Sequence, residues 1–182
     1  MAYNFNRNHT DGVFSRHKTE LMTMTEQRLK TLVLGPQDYR LGEPLDVLGE
    51  PCLVKLAGAD TGNAVAVVHL TVPKLSGPPL HRHSREEEWF YVLDGEITCE
   101  VDGRRFTAGA GASASAPRGT AHALQNFRAE AAHILVMVTP AGLDQFFEEL
   151  TAQNKGLSQP DFARVEHLMQ SYGLELLGPP LS

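Results

Sequence analysis

The chain has 182 residues, of which 42% are hydrophobic and 21% charged, enough for one domain around a single core and too few for two comfortable ones. The 16 Lys and Arg against 22 Asp and Glu leave a net charge of −6 with the histidines neutral, and the basic stripe expected of a nucleic-acid binder is not visible in the sequence. The longest apolar run, Ile134 to Val138, is far too short to span a bilayer, and no N-terminal stretch has the apolar character of a secretory signal, so the expectation is a soluble cytoplasmic protein.

Residues 1–26 show little hydrophobic periodicity and are punctuated by Asn4, Asn6, Asn8, Asp11, Ser15 and Lys18. They read as a flexible N-terminal tail, in which His9 and His17 are not expected to be ligands. From 27 to 140 the texture is all-β. Short runs rich in Val, Ile, Leu, Tyr and Phe, separated by Gly, Pro and Asp, predict strands near 31–34, 52–57, 63–72, 79–83, 87–93, 96–101, 104–107, 112–116, 121–127 and 132–139. Asp94-Gly95 and Asp102-Gly103 are two-residue hairpin signals, since such turns need positive φ. Many short strands at close spacing suggest a sandwich or closed barrel.

From 141 to 182 the pattern turns helical, an extension expected to pack on the barrel or on a partner subunit. Leu143, Phe146, Phe147 and Leu150 share one face of a helix. Ser158 and Asp161 form a capping-box-like pair before a second helix, whose buried face would carry Phe162, Val165 and Met169 and which Gly173 would end. Leu174 to Leu177 is a candidate last strand. Cys52 and Cys99 are expected to be reduced, buried small hydrophobes, because a chain of this size needs no disulfide scaffold.

Chemistry concentrates between 81 and 122. In His81-Arg82-His83 the strand alternation puts both imidazoles on one face, where they can share a metal ion. Glu88 lies at an odd offset from them, so Ser84-Arg85-Glu86 must bend the chain to bring it back on the adjacent strand. Phe90 and Val92 then share its face, while Trp89 and Tyr91 point the other way, into packing or a subunit contact. His122 begins a strand after the constrained turn Pro117-Arg118-Gly119, a good placement for a fourth ligand. His69 and His133 sit in predicted strands as core, surface or cavity-facing residues, and His167 is expected to be exposed.

At these residues the chain resembles the cupin superfamily. Gly111, Pro117, Gly119, His122 and Asn126 fit the second cupin motif at every position, and His81, His83, Glu88 and Gly95 fit the first. One departure is Gly77, separated from His81 by three residues rather than five. The resemblance covers about residues 45 to 140. It implies an all-β cupin barrel, a double-stranded β-helix or jelly roll, here with C-terminal helices. It also implies one divalent metal held by His81, His83, Glu88 and His122. The motif spacing selects Glu88 over Glu87, leaving Glu86 and Glu87 as a solvated rim.

Three imidazoles and a carboxylate suit Mn, Fe, Co, Ni, Cu or Zn, and leave one or two positions for water, substrate or dioxygen. Phe90, Val92, Ile97, Cys99 and Leu124 would give a mostly apolar pocket for a small aromatic or hydrophobic substrate rather than oxalate or a sugar phosphate. The run Pro79 to Leu93 looks like that of single-domain cupins similar to quercetin dioxygenases. This implies a dioxygenase-type oxidoreductase with Glu88 as ligand and catalytic base. A metal-assisted isomerase, lyase or decarboxylase, and a non-catalytic binding protein, are the competing classes. A homodimer is expected, because a small barrel exposes edges and a sheet face that are usually covered.

Overall fold

The computed structural model describes residues 31–40 and 42–182, so the predicted tail 1–26, with His9 and His17, lies outside the described residues. The chain runs β1 (Leu45–Val47), β2 (Glu50–Leu56), a short helical turn α1 (Gly58–Thr61), β3 (Ala66–Val72), β4 (His81–His83), β5 (Glu87–Asp94) and β6 (Glu96–Val101). It continues through β7 (Arg104–Gly109), β8 (Ser113–Ala116), β9 (His122–Gln125), β10 (Ala132–Thr139), α2 (Leu143–Asn154), α3 (Phe162–Ser171) and β11 (Leu174–Leu176). Two antiparallel sheets face each other, one ordered β1-β2-β3-β10-β5-β8 and the other β11-β4-β9-β6-β7. The chain shuttles between them, which is the jelly-roll arrangement expected from the sequence. Alternation supplies the core: Cys52, Val54, Val68, Leu70, Phe90, Val92, Ile97, Cys99, Ile134 and Val136 all point inward. Both cysteines are unpaired, buried thiols.

Several local expectations change. The run at 31–34 forms no strand: β1 is the edge strand of its sheet, nothing pairs beyond it among the described residues, and Val33 is left exposed. The strand expected from 63 begins only at Ala66, because Gly62 and Asn63 take left-handed conformations after α1. Asp102-Gly103 is the predicted hairpin turn, with φ of 51° and 70° and Val101 paired to Arg104. Asp94-Gly95 is not a hairpin. It carries the chain from β5 in one sheet to β6 in the other, and Gly95 is needed there because a Cβ would sit 2.9 Å from Ala132 Cα.

The C-terminal helices pack on the same barrel. Helix α2 lies against β1 and β3, α3 lies against β11, and β11 pairs with β4, the strand carrying His81 and His83. Asp161 is itself the N-cap of α3, accepting from the Arg164 amide, so it is not the third residue of a box opened by Ser158. Gly173 ends the helix at φ 79° as expected. Val165 and Leu168 are the buried residues of α3, whereas Phe162, expected to be buried, is 69% exposed in the helix's first turn.

Candidate metal centre

The two sheets divide the cluster between them. His81 and His83 come from β4 and His122 from β9, with His81 directly opposite His122 in the register. Glu88 comes from β5 in the other sheet and reaches across the interior. The local chain positions each residue. The Gly119 amide donates to the His83 carbonyl at 2.7 Å, joining the turn before His122 to β4. Gly77 lies so close to β9 that a Cβ would meet the Leu124 carbonyl oxygen at 2.0 Å, and its φ of 134° adds to the need for glycine. Buried Asn126 donates to the carbonyls of Val72 and Glu130, fixing the strand end just past His122.

His81, His83, Glu88 and His122 are all buried, and one potential ligand atom from each lies within 4.8 Å of the others. His83 Nε2 is 3.1 Å from both His81 Nε2 and Glu88 Oε2, and His122 Nε2 is 3.2 Å from the same carboxylate oxygen. The opposite nitrogens are tethered outward. His81 Nδ1–H donates to the Pro79 carbonyl at 2.8 Å, and His122 Nδ1–H to the Thr120 carbonyl at 3.0 Å. Those bonds orient both rings so that Nε2 is aimed at the common centre.

The electrostatics fit a cation there. Burial, followed by repulsion from His122, pushes His81 down to about 4, so it stays neutral. Burial also opposes charge on His83, but the attraction of the Glu86 and Glu88 carboxylates and the close contact with Glu88 outweigh it and raise the ring to about 9. Burial would raise Glu88, yet the hydrogen bonds and charges of His122 and His83 hold it well below the ordinary carboxylate range. The site therefore draws positive charge to its centre, and its three imidazoles and one carboxylate form a mixed N/O set able to hold a divalent transition metal.

Sequence reasoning missed two carboxylates. Glu86, expected on a solvated rim, is 3% exposed, and its Oε2 lies 3.4 Å from His83 Nδ1 without hydrogen-bond alignment. Gly142 leaves the space for it, since a Cβ there would lie 2.9 Å from Glu86 Oε1. Alternation held the signal: Glu86 is two residues from Glu88 and shares its inward side, while Glu87 between them is exposed. A carboxylate behind a ligating imidazole orients it and raises its basicity. Glu86→Ala is therefore expected to weaken metal binding by about 10- to 100-fold in a competition titration with a chelator. Unchanged affinity would leave Glu86 with packing alone.

The second is Glu50, 7% exposed at the start of β2, on the inward side it shares with Cys52 and Val54. Burial pushes its carboxyl up to about 7, with the Gly77 amide only partly opposing this. An unfolded glutamate ionises first, so the stability gained by keeping Glu50 neutral is full below about pH 4.5 and is lost as the pH rises to about 7. Glu50→Gln should therefore match the wild type near pH 4 and exceed it by roughly 2–3 kcal/mol near pH 8 in urea unfolding. Parallel stability profiles would show that Glu50 titrates normally.

A cavity of about 460 Å³ opens onto His81, His83 and Glu88. Leu124 lines it as expected, but Phe90, Val92, Ile97 and Cys99 do not, because they are packed between the sheets away from it. Its walls come instead from the β1–β2 edge, the loop Leu75–Pro79 and the apolar faces of α2 and α3. No lysine or arginine lines it among the described residues. His69 and His133 lie on the far side of β3 and β10, 3.3 Å from each other and away from the cluster, and His167 is exposed as expected.

A family model described as the cupin domain matches residues 68–138. A quercetin 2,3-dioxygenase of Bacillus subtilis strain 168 is 37% identical over 65 residues, covering 36% of this chain and 19% of that protein, so the match spans about a fifth of the relative's length. A predicted oxalate decarboxylase from Thermotoga maritima superposes with a TM-score of 0.53 at 19% identity, over 60% of this chain and 99% of that one. An RmlC-like cupin from Shewanella frigidimarina gives 0.50 at 21% identity, over 60% and 96%. At these identities the two structures share the fold, and their activities do not transfer.

Proposed function

We propose that this chain, which belongs to the cupin superfamily, is a metal-dependent oxidoreductase of the dioxygenase type acting on a small, mainly apolar aromatic substrate. The carrying observation is the cavity: apolar, without a cationic side chain among the described residues, and ending on His81, His83 and Glu88. An anionic substrate such as oxalate or a sugar phosphate would enter it without a counter-charge from lysine or arginine. The local likeness to quercetin 2,3-dioxygenase supports the reaction type.

His81, His83, Glu88 and His122 would hold the ion, which supplies a Lewis acid that acidifies a substrate hydroxyl and orients the substrate. His122 belongs to the cluster but not to the cavity wall, so substrate meets the site from the side of His81, His83 and Glu88. Glu88 takes the hydroxyl proton, α2 and α3 exclude bulk water from the apolar end, and Glu86 holds His83 in position.

Elemental analysis followed by oxygen-uptake measurements with flavonols, catechols and enols tests this. The expected result is about one transition-metal ion per chain and oxygen consumption coupled to substrate loss. Turnover without oxygen uptake would make the protein an isomerase, lyase or decarboxylase. Tight ligand binding without turnover would make it a binding protein.

The same reading takes the protein as a cytoplasmic homodimer. No helix among the described residues is long and apolar enough to cross a membrane. Trp89 and Tyr91 stack on the outer face of β5, with ring centroids 5.9 Å apart, where a second copy would cover them. Light scattering at micromolar concentration should give twice the chain mass, and a monomer would end the idea.

A further inference from the structure

Outside the metal cluster, Glu50 and Ser76 contribute the only polar side chains to the cavity wall among the described residues. The metal site does not use Glu50, and no cationic side chain among those residues offsets its burial. A carboxyl kept in apolar surroundings without a counter-charge is a standing loss of stability that a leucine or valine on the same strand face would avoid. Its neighbours on that face, Cys52 and Val54, are ordinary core residues. The loop across from it is held in place by the Leu75 amide donating to the Asn126 carbonyl and the Asn126 amide donating to the Ser76 carbonyl. The Gly77 amide of that loop lies against the Glu50 carboxyl. The group is thus held on rigid elements and not on a mobile rim.

We propose that Glu50 is a specificity-determining anchor of this cavity, forming a hydrogen bond to a neutral oxygen of an aromatic ligand at a position remote from the metal-binding oxygen. This rests on the proposed metal-dependent reading of the same cavity and narrows its substrate class. The ligand is uncharged apart from the oxygen it gives to the metal, carries at least two oxygens, and is otherwise apolar. Near neutral pH a large share of Glu50 is protonated and can donate, and among the side chains of the described residues that line the cavity away from the metal cluster the Ser76 hydroxyl is the other donor. A hydrogen-bonding site rejects an analogue that lacks the matching group because its own polar atom is then left unpaired.

The test uses displacement of the neutral fluorescent dye N-phenyl-1-naphthylamine. The competitors are 1-acetylnaphthalene, which can only accept a hydrogen bond, and 1-isopropylnaphthalene, which has nearly the same shape and no polar atom. Both are titrated into the full chain as purified and again after metal removal. The wild type should prefer the ketone by roughly three- to tenfold in both forms. Glu50→Leu should abolish the preference while still binding the hydrocarbon, which also shows that the pocket is intact. Glu50→Gln, whose amide still donates, should keep most of it. Glu50→Met serves as the second apolar variant should the leucine protein not fold.

A preference unchanged in Glu50→Leu or Glu50→Met overturns the assignment, as does its absence from the wild type. Loss in Glu50→Gln equal to that in the apolar variants overturns the donated hydrogen bond, because the amide keeps a donor at that position. The outcome separates from that of the dioxygenase reading. Absent oxygen uptake with the preference intact removes the reaction and keeps the anchor, and oxygen uptake with no Glu50-dependent preference does the reverse.

Discussion

Replacing His83 with alanine is expected to reduce bound transition metal from about one ion per chain to roughly a tenth or less, the largest effect of any single substitution in the cluster. His83 is central because its Nε2 lies 3.1 Å from both His81 Nε2 and Glu88 Oε2, and it also faces Glu86. Removing the ring takes away one of three nitrogen donors and leaves two buried carboxylates without their shared partner. The strand should survive, because β4 is held by the Gly119 amide on the His83 carbonyl and by pairing with β9 and β11, none of which involves the ring. His81→Ala and His122→Ala should also fall well below stoichiometry. Inductively coupled plasma analysis beside circular dichroism reads both quantities, and full metal retention in any one variant removes that residue from the ligand set. Chelator treatment of the wild type should lower its Tm, because an ion bound only by the folded state stabilises it by mass action.

The residues of this cluster were legible because cupin chemistry is written at short range. His81 and His83 are two apart on one strand, His122 follows a turn that Pro117 and Gly119 define locally, and Glu88 is indexed by its distance to Gly95. Inward and outward faces were equally legible, since Phe90 and Val92 alternate with Trp89 and Tyr91 as period-two patterning requires. What was not legible depends on long-range partners. Asp94-Gly95 carries a hairpin signal in composition, yet its strands belong to different sheets, and only the tertiary pairing of β5 with β8 and β10 decides that. The apolar stripe of α2 was visible as a stripe. That it roofs the metal-side cavity, displacing Phe90, Val92, Ile97 and Cys99 from the role of pocket wall, follows from where the chain returns after β10. Glu86 and Glu50 were hidden for another reason. Composition assigns glutamate to the surface, and alternation from Glu88 and from Cys52 had to be weighted above it.

Glu88 distinguishes holding an ion from using it. Glu88→Gln keeps the shape of the side chain and one oxygen, loses the charge, and leaves His81, His83 and His122 in place. If Glu88 takes a proton from substrate, turnover should fall by about 10²- to 10⁴-fold, with a much smaller fall in metal content. The direction of its pKa sharpens the expectation. The neighbouring imidazoles already hold the carboxylate well below the ordinary range without an ion, and a bound cation would favour its ionised form further, which makes it a weak base toward a free phenol. Transfer to it becomes feasible only for a hydroxyl whose own pKa the cation has lowered, so the base role is tied to metal occupancy. Rate and metal content must therefore be measured on one preparation of each variant, and the rate expressed per bound ion. A rate per ion equal to that of the wild type would reduce Glu88 to a ligand. Full metal together with full rate would remove both roles. The carboxylate next in line would then be Glu86, because Glu87 points to solvent and Glu86 is the one buried against His83.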